Sequence, residues 1–191
     1  AKRLKKETSI YFNENLEGIV QACLPTGERI IKFNYPKEKN FLEIIKALGE
    51  VPFPPYITKP ECDDERYQTV YSKNEGSVAA PTAGLHFTDN LLEELKNKGV
   101  KITYLTLHVG LGTFLPIKTE NILEHNMHEE YYEISAETAE LLNETKQNKK
   151  HIWAVGTTST RTLETVFNKY HEFKQDAGFS DIFIYPNYEF K

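Results

Sequence analysis

Residues 151–164 read His-Ile-Trp-Ala-Val-Gly-Thr-Thr-Ser-Thr-Arg-Thr-Leu-Glu. His151-Ile-Trp-Ala-Val155 is a short, mostly apolar run and predicts a buried strand. Leu163, Val166 and Phe167 then recur at helical spacing and predict a helix. A strand passing through a glycine turn into a helix is the repeating unit of layered α/β proteins. The flanks extend the alternation. Downstream, Ile182-Phe-Ile-Tyr185 predicts a closing strand. Upstream, Ser135 can cap a helix around Ala139, Leu141 and Leu142, and the β-rich run Val100–Val109 precedes it. Further back, Thr88 can cap a helix carrying Leu91, Leu92 and Leu95, which Gly99 ends.

The chain begins differently. Glu17–Leu24 and Glu28–Tyr35 are strand-length, and Pro25-Thr26-Gly27 between them has hairpin-loop chemistry. Phe41, Leu42, Ile44, Ile45 and Leu48 then follow a helical period, with Gly49 at the cap position. Val51-Pro-Phe-Pro-Pro-Tyr56 cannot be helical and predicts an extended link. The expected class is therefore α/β: a mixed sheet, partly parallel, with flanking helices. A small β unit precedes it, and the boundary is set at residues 1–48 and 49–191.

Composition narrows the function classes. Hydrophobic residues make up 39% and charged residues 27%, a globular balance. No run of about 18 apolar residues is present, so no membrane helix is expected. Cys23 and Cys62 form neither a metal-spaced pair nor a disulfide framework, and a reducing cytoplasm is the default compartment. The net charge of −5 argues against a protein that coats nucleic acid and leaves only local basic patches. These are Lys2, Arg3, Lys5 and Lys6, and Lys146, Lys149, Lys150 and His151. A solvated surface explains either patch equally simply. Ala1 at the start and Phe190-Lys191 at the end lead us to expect a fragment, an excised region or the product of a broken reading frame.

Four segments carry candidate chemistry. Gly156-Thr-Thr-Ser-Thr-Arg161 opens the predicted helix, where free N–H groups, the hydroxyls of Thr157, Thr158 and Ser159, and the Arg161 fork suit an anionic group. The plainer alternative is that Thr158 or Ser159 caps the helix and Arg161 pairs on the surface. Leu107-His-Val-Gly-Leu-Gly-Thr-Phe114 puts His108 at a strand end before Gly110, Gly112 and Thr113; a structural turn explains the glycines equally well. His125-Asn-Met-His-Glu-Glu130 combines two imidazoles and two carboxylates, suited to proton transfer or to a divalent metal. If helical, His125 and His128 share a face. The spacing is not that of a zinc helix, and no metal is expected. Glu75–Thr88 is rich in small residues, includes Thr82 and His86, and follows the polar run Glu65-Arg66-Tyr67-Gln68.

Taken in order, these segments resemble the S-adenosylmethionine:tRNA ribosyltransferase-isomerase family of queuosine biosynthesis. Residues 54–57, 65–71 and 76–88 are similar to its PPYI, ERYQTVY and GSVAAPTAGLHFT segments. Residues 107–114, 125–130, 154–164 and 181–191 are similar to its LHVGLGTF, H-x-M-H-x-E, AVGTTSxRTLE and DIFIYPxYxFK segments. The chain departs from the pattern at Leu115, Phe179-Ser180 and Asn187. Residues before about position 50 resemble the tail of the small β-barrel that the family inserts in its main domain.

The resemblance implies a reaction. The ribosyl group of S-adenosylmethionine passes to 7-aminomethyl-7-deazaguanine (preQ1) at the tRNA wobble position. It is isomerised to an epoxycyclopentanediol, with release of adenine and methionine. The sulfonium donor is a cosubstrate, and no separate cofactor is expected. The partner is tRNA, and the protein is expected to be a cytoplasmic monomer. The positive sulfur acidifies its neighbouring C5′ protons, so a base is required there. His125, His128 and Glu130 are the first candidates for proton transfer, with His86 and His108 next. Arg161, Thr157, Thr158 and Ser159 would hold the amino-acid tail or a phosphate. Thr82, Gly110, Gly112 and Thr113 would line the substrate, and Arg66, Tyr67 and Gln68 would read the base. An inactive remnant of such an enzyme and a metal-dependent hydrolase are the competing expectations.

Overall fold

The computed structural model describes residues 3–25, 27–54, 57, 64–114, 121–122 and 127–191. The chain divides into two compact units, Ala1–Val51 and Pro52–Lys191.

The first unit is an antiparallel sheet of β1 (Ser9–Asn13), β2 (Leu16–Cys23) and β3 (Arg29–Asn34) in that order, followed by helix α1 (Phe41–Leu48). In β2, Leu16, Gly18 and Val20 alternate onto the buried face, as a two-residue period requires. Gly18 is needed there because a Cβ would stand 2.7 Å from Ile31 Cγ2 and 3.1 Å from the Phe12 ring. Phe12, Phe33, Phe41 and Tyr35 continue as a chain of ring contacts at 5.0–5.8 Å. Asn40 caps α1 by accepting from the Leu42 N–H, and Gly49 closes it through the Ile45 carbonyl. The sheet is open, with β1 and β3 as edges, and no barrel closes among the described residues.

The second unit holds the sheet β4 (Thr106–His108), β5 (Glu130–Ile134) and β6 (Asp176–Ser180), with β5 central. Among the described residues three helices accompany it: α2 (Asp89–Asn97), α3 (Ala136–Gln147) and α4 (Gly156–Tyr170). Thr88 and Ser135 accept from the N–H groups of Leu91 and Thr138, as capping residues should. The core joins Tyr132 and Ile134 of β5 to Ala139 and Leu142 of α3, Val166 of α4, and Phe173. Ile134 and Val166 have no exposed surface, and each such side chain contributes about 1.5–3 kcal/mol by leaving water. Asn143 fastens the next turn to α3, donating to the Phe173 carbonyl and accepting from its N–H.

The α/β mixture is present, but the expected parallel pairing is not: every strand pair among the described residues is antiparallel. The strand forecasts for residues 151–155 and 182–185 are also corrected, since neither stretch forms a strand, and Trp153 is 86% exposed. Of residues 100–109 only Thr106–His108 pairs. The stretch just before is tied down by side chains instead: Thr138 Oγ1 bonds Thr103 Oγ1 and donates to the Tyr104 carbonyl.

A polar cluster closes one side of this core. Tyr132 Oη donates to Asp176 at 2.6 Å, and Tyr170 Oη and Lys169 Nζ donate to the same carboxylate. Burial works to raise the Asp176 carboxyl, but these donors outweigh it and hold it below its ordinary value. Burial, then the Asp176 contact, pushes the Tyr132 phenol up to about 12. A raised phenol stabilises the fold fully below its unfolded value of 10.0 and ceases to do so as pH rises through about 12. Denaturation at the two ends of that window should therefore show an alkaline loss of about 2 kcal/mol, reduced in Tyr132→Phe. Equal losses in the two proteins would refute the assignment. The depressed Asp176 carboxyl acts at the other end, withdrawing stability as pH falls from 3.8 through its folded value.

Candidate active site

Strand β5 organises the site. Its first residue, Glu130, points to the same face as Tyr132 and Ile134 and is 5% exposed. A carboxylate this far from water needs a counter-charge and donors. Arg161, in the second turn of α4, supplies the charge through Nη1, which pairs with Glu130 Oε2. The other carboxylate oxygen accepts from the Gly110 N–H at 3.0 Å and from Thr113 Oγ1 at 3.2 Å. Arg161 Nη2 donates to the carbonyls of Ser180 on β6, at 3.0 Å, and of His128, at 3.4 Å. One buried ion pair thus ties together α4, β5, β6, the turn after β4 and the approach to β5.

The turn after β4, a 3₁₀ turn over Leu111–Phe114, lies against His128. A Cβ on Gly112 would overlap the His128 ring and stand 2.7 Å from its Cβ, so the close approach requires glycine. On the far side of β4, Val78 N–H donates to the Val109 carbonyl, and Val109 N–H donates to Ser77 Oγ. A Cβ on Gly76, which has φ +138°, would stand 3.0–3.2 Å from Cε1, Nδ1 and Nε2 of His108.

The predicted residues fall into three groups. Gly110, Gly112, Thr113, His128, Glu130 and Arg161 converge where β4 ends and β5 begins, while His108 lies on the opposite face of the sheet, stacked on Tyr131. Thr82 and His86 lie exposed on a 3₁₀ turn, Thr82–His86, that packs against α4. Ala83 in that turn stands 3.5 Å from the Cβ position of Gly156. Arg66, Tyr67 and Gln68 lie on the 3₁₀ turn Asp64–Tyr67 and just after it, beside the Thr82–His86 turn, with Tyr67 against Phe53. His125 lies outside the described residues. Residues 127–129 precede β5 without helix, and the face that His128 would share with His125 in a helix lies outside the described residues.

Two expectations about α4 also change. Its N-cap is Val155, without a side-chain cap, so neither Thr158 nor Ser159 caps it. Among the described residues the hydroxyls of Thr157, Thr158 and Ser159 make no hydrogen bond, and Gly156 enters the helix at φ +84°. Arg161 pairs in the interior rather than on the surface, and its two terminal nitrogens are already engaged. Its Nε is buried without a partner among the described residues. No group of three metal-ligating side chains occurs among the described residues.

Sequence reasoning missed Ser77, Ser180 and Tyr131. Ser180 is 1% exposed and bonds Thr165 Oγ1 at 2.6 Å, fixing β6 to α4 one turn beyond Arg161. Tyr131 stacks on His108 with ring centroids 5.6 Å apart. A β-strand period around Glu130 would have flagged both neighbours of Tyr131 as inward-facing and Tyr131 itself as outward-facing.

Fold and site together define a two-unit α/β chain whose glycine turn and His128 are held by an internal arginine–glutamate pair. The chain belongs to the queuosine biosynthesis protein family, which it matches over residues 1–191. S-adenosylmethionine:tRNA ribosyltransferase-isomerases from two strains of Staphylococcus epidermidis are 53% and 52% identical to it over 194 aligned residues. Each alignment covers 100% of this chain and 56% of the relative, so the chain spans about half the length of these curated relatives. The crystal structure of an S-adenosylmethionine tRNA ribosyltransferase from Thermotoga maritima is 31% identical, with 100% of this chain and 48% of that chain covered and a TM-score of 0.44.

Proposed function

We propose that this chain carries part of the catalytic machinery of an S-adenosylmethionine:tRNA ribosyltransferase-isomerase. The reaction moves and isomerises the ribosyl group of the sulfonium donor onto preQ1 at the tRNA wobble position, releasing adenine and methionine. The observation that carries this reading is the packing of His128 and the Gly110–Thr113 turn around one buried Glu130–Arg161 pair. The relatives' names support a ribosyl transfer and isomerisation between S-adenosylmethionine and tRNA.

In this reading Glu130 and Arg161 position the site, because both are consumed by contacts within the protein. Proton transfer beside the sulfonium falls first to the imidazole of His128, with His125, His86 and His108 as further candidates. The uncapped start of α4, with Thr157, Thr158 and Ser159, offers N–H and hydroxyl donors to the methionine carboxylate. Thr82 and the Gly110–Thr113 turn line the nucleoside, and Arg66, Tyr67 and Gln68 face the RNA base. No metal or resident cofactor enters the chemistry, and the protein works as a cytoplasmic monomer. Among the described residues no helix is long and apolar enough to cross a membrane.

The test is release of adenine from S-adenosylmethionine in the presence of precursor tRNA. The wild-type chain should release it, and His128→Ala should slow release by about 10²-fold or more, the loss typical of a proton-transfer group. Release at the uncatalysed rate by the wild-type chain would instead favour an inactive remnant.

A further inference from the structure

Three threonines of α4 spend their hydroxyl protons on the helix itself: Thr160 on the Gly156 carbonyl, Thr162 on the Thr158 carbonyl and Thr165 on the Arg161 carbonyl. Thr165 goes further, because its oxygen also lies 2.6 Å from Oγ of Ser180, the last residue of β6. A hydroxyl has one proton, and Thr165 gives its own to Arg161 at 2.7 Å, so Ser180 must be the donor between the two hydroxyls. Ser180 Oγ in turn accepts from the Ile182 N–H at 3.4 Å. The return leg runs through Arg161, whose Nη2 donates to the Ser180 carbonyl at 3.0 Å. The bonds form a closed ring, from the Ser180 hydroxyl to Thr165, from Thr165 to the Arg161 carbonyl, and from the guanidinium back to the Ser180 carbonyl. Ser180 is also the direct cross-strand partner of Glu130, so the ring closes at the register position that carries the buried carboxylate.

We infer that Ser180 and Thr165 are positioning residues for the candidate site, holding the Arg161 guanidinium so that Glu130 and His128 keep their places. The inference rests on the proposed reaction for what the site does, and adds the residues that aim it. The reason lies in how Arg161 is held. Its Nε is buried without a partner among the described residues, so the two terminal nitrogens alone fix the plane of the guanidinium. Nη1 meets Glu130, the group that Arg161 has to orient. Nη2 carries the anchors, the Ser180 carbonyl at 3.0 Å and the His128 carbonyl at 3.4 Å. The Ser180 carbonyl is the shorter of the two, and the hydroxyl pair sets its place against α4. A threonine bonded to the carbonyl one turn back is ordinary in a helix. A serine 1% exposed that completes the bond is not, since a buried hydroxyl is costly unless it is paired. Loss of either hydroxyl leaves the other short of its partner and frees β6 to shift against α4. A reacting group is kept in place by supporting hydrogen bonds of this kind.

The experiment uses the full chain and reads the imidazole Cε1–H signal of His128 by NMR, assigned by its loss in His128→Ala, together with kcat and KM for adenine release. Thr165→Val keeps the shape of the side chain and removes the hydroxyl, whereas Thr165→Ser keeps the hydroxyl. Thr165→Val should move the His128 signal and lower kcat by about tenfold or more with little change in KM, the mark of a misplaced reacting group rather than a lost binding contact. The exposed His151 and His171 should keep their signals. Thr165→Ser should restore both readouts. Thr145→Val on α3 is the matched control and should change neither, since Thr145 makes the same bond to a carbonyl four residues back, also at 2.7 Å. In a His128→Ala background Thr165→Val should slow release no further. Ser180→Ala should repeat the Thr165→Val result and takes its place if that variant does not fold. An unmoved His128 signal in both Thr165→Val and Ser180→Ala would overturn the inference. So would failure of Thr165→Ser to restore it, or an undiminished effect of Thr165→Val in the His128→Ala background. A wild-type chain that releases no adenine counts against the proposed reaction instead, and the His128 signal then decides the positioning by itself.

Discussion

Arg161→Ala should unfold at a much lower denaturant concentration than the wild-type chain, with a loss of about 3–5 kcal/mol. The substitution leaves the Glu130 carboxylate 5% exposed, still accepting from Gly110 and Thr113 but without its counter-charge. It also removes the donor to the carbonyls of Ser180 and His128. Arg161→Lys should recover only part of the loss, because one ammonium cannot span a carboxylate and two carbonyls as a planar guanidinium does. The pair Glu130→Gln with Arg161→Met should cost less than Arg161→Ala alone, since no buried charge is left unmatched. A loss below about 1 kcal/mol in Arg161→Ala would place the pair among ordinary surface contacts and remove it as the organiser of the site.

Gly112→Ala should abolish most adenine release while costing only about 1–3 kcal/mol of stability, the range for forcing a methyl into a filled space. The new Cβ collides with the base of the His128 side chain, so a rotation of the ring tip does not relieve it. Either His128 swings away or the turn carrying Gly110 and Thr113 lifts from Glu130. Both routes displace the imidazole assigned to proton transfer, and misplacement of a reacting group by about 1 Å can cost on the order of 10²-fold in rate. Equal activity in Gly112→Ala and wild type would show that His128 does not need its observed position.

The helices were the most legible part of the sequence. Thr88 and Ser135 announce α2 and α3 through a local rule, a hydroxyl that accepts from an N–H three residues on. The apolar period of α4 likewise survives folding, with Val166 at its buried face. Strands were less legible because a strand is defined by its neighbour. His-Ile-Trp-Ala-Val at 151–155 has the right residues and no partner, while Asp-Ala-Gly-Phe-Ser at 176–180 has poor strand residues and pairs along its whole length with β5. The site residues were legible as chemistry but not as contacts. Glu130 and Arg161 are 31 residues apart, and no spacing rule joins them. Their union changes both roles, since each looked free to meet a substrate and each instead meets the other. Tyr131 and Ser180 were invisible for the same reason: their neighbours come from other strands and from α4.

The exposed position of Trp153 has a practical corollary for optical measurements. The chain's single indole sits in solvent already in the native state, away from the buried cluster around Val166 and Ile134. Its emission will change little when that cluster melts, so the unfolding comparisons call for circular dichroism or tyrosine absorbance. The same indole is then a quiet background reporter, free to register whatever molecule settles over the start of α4.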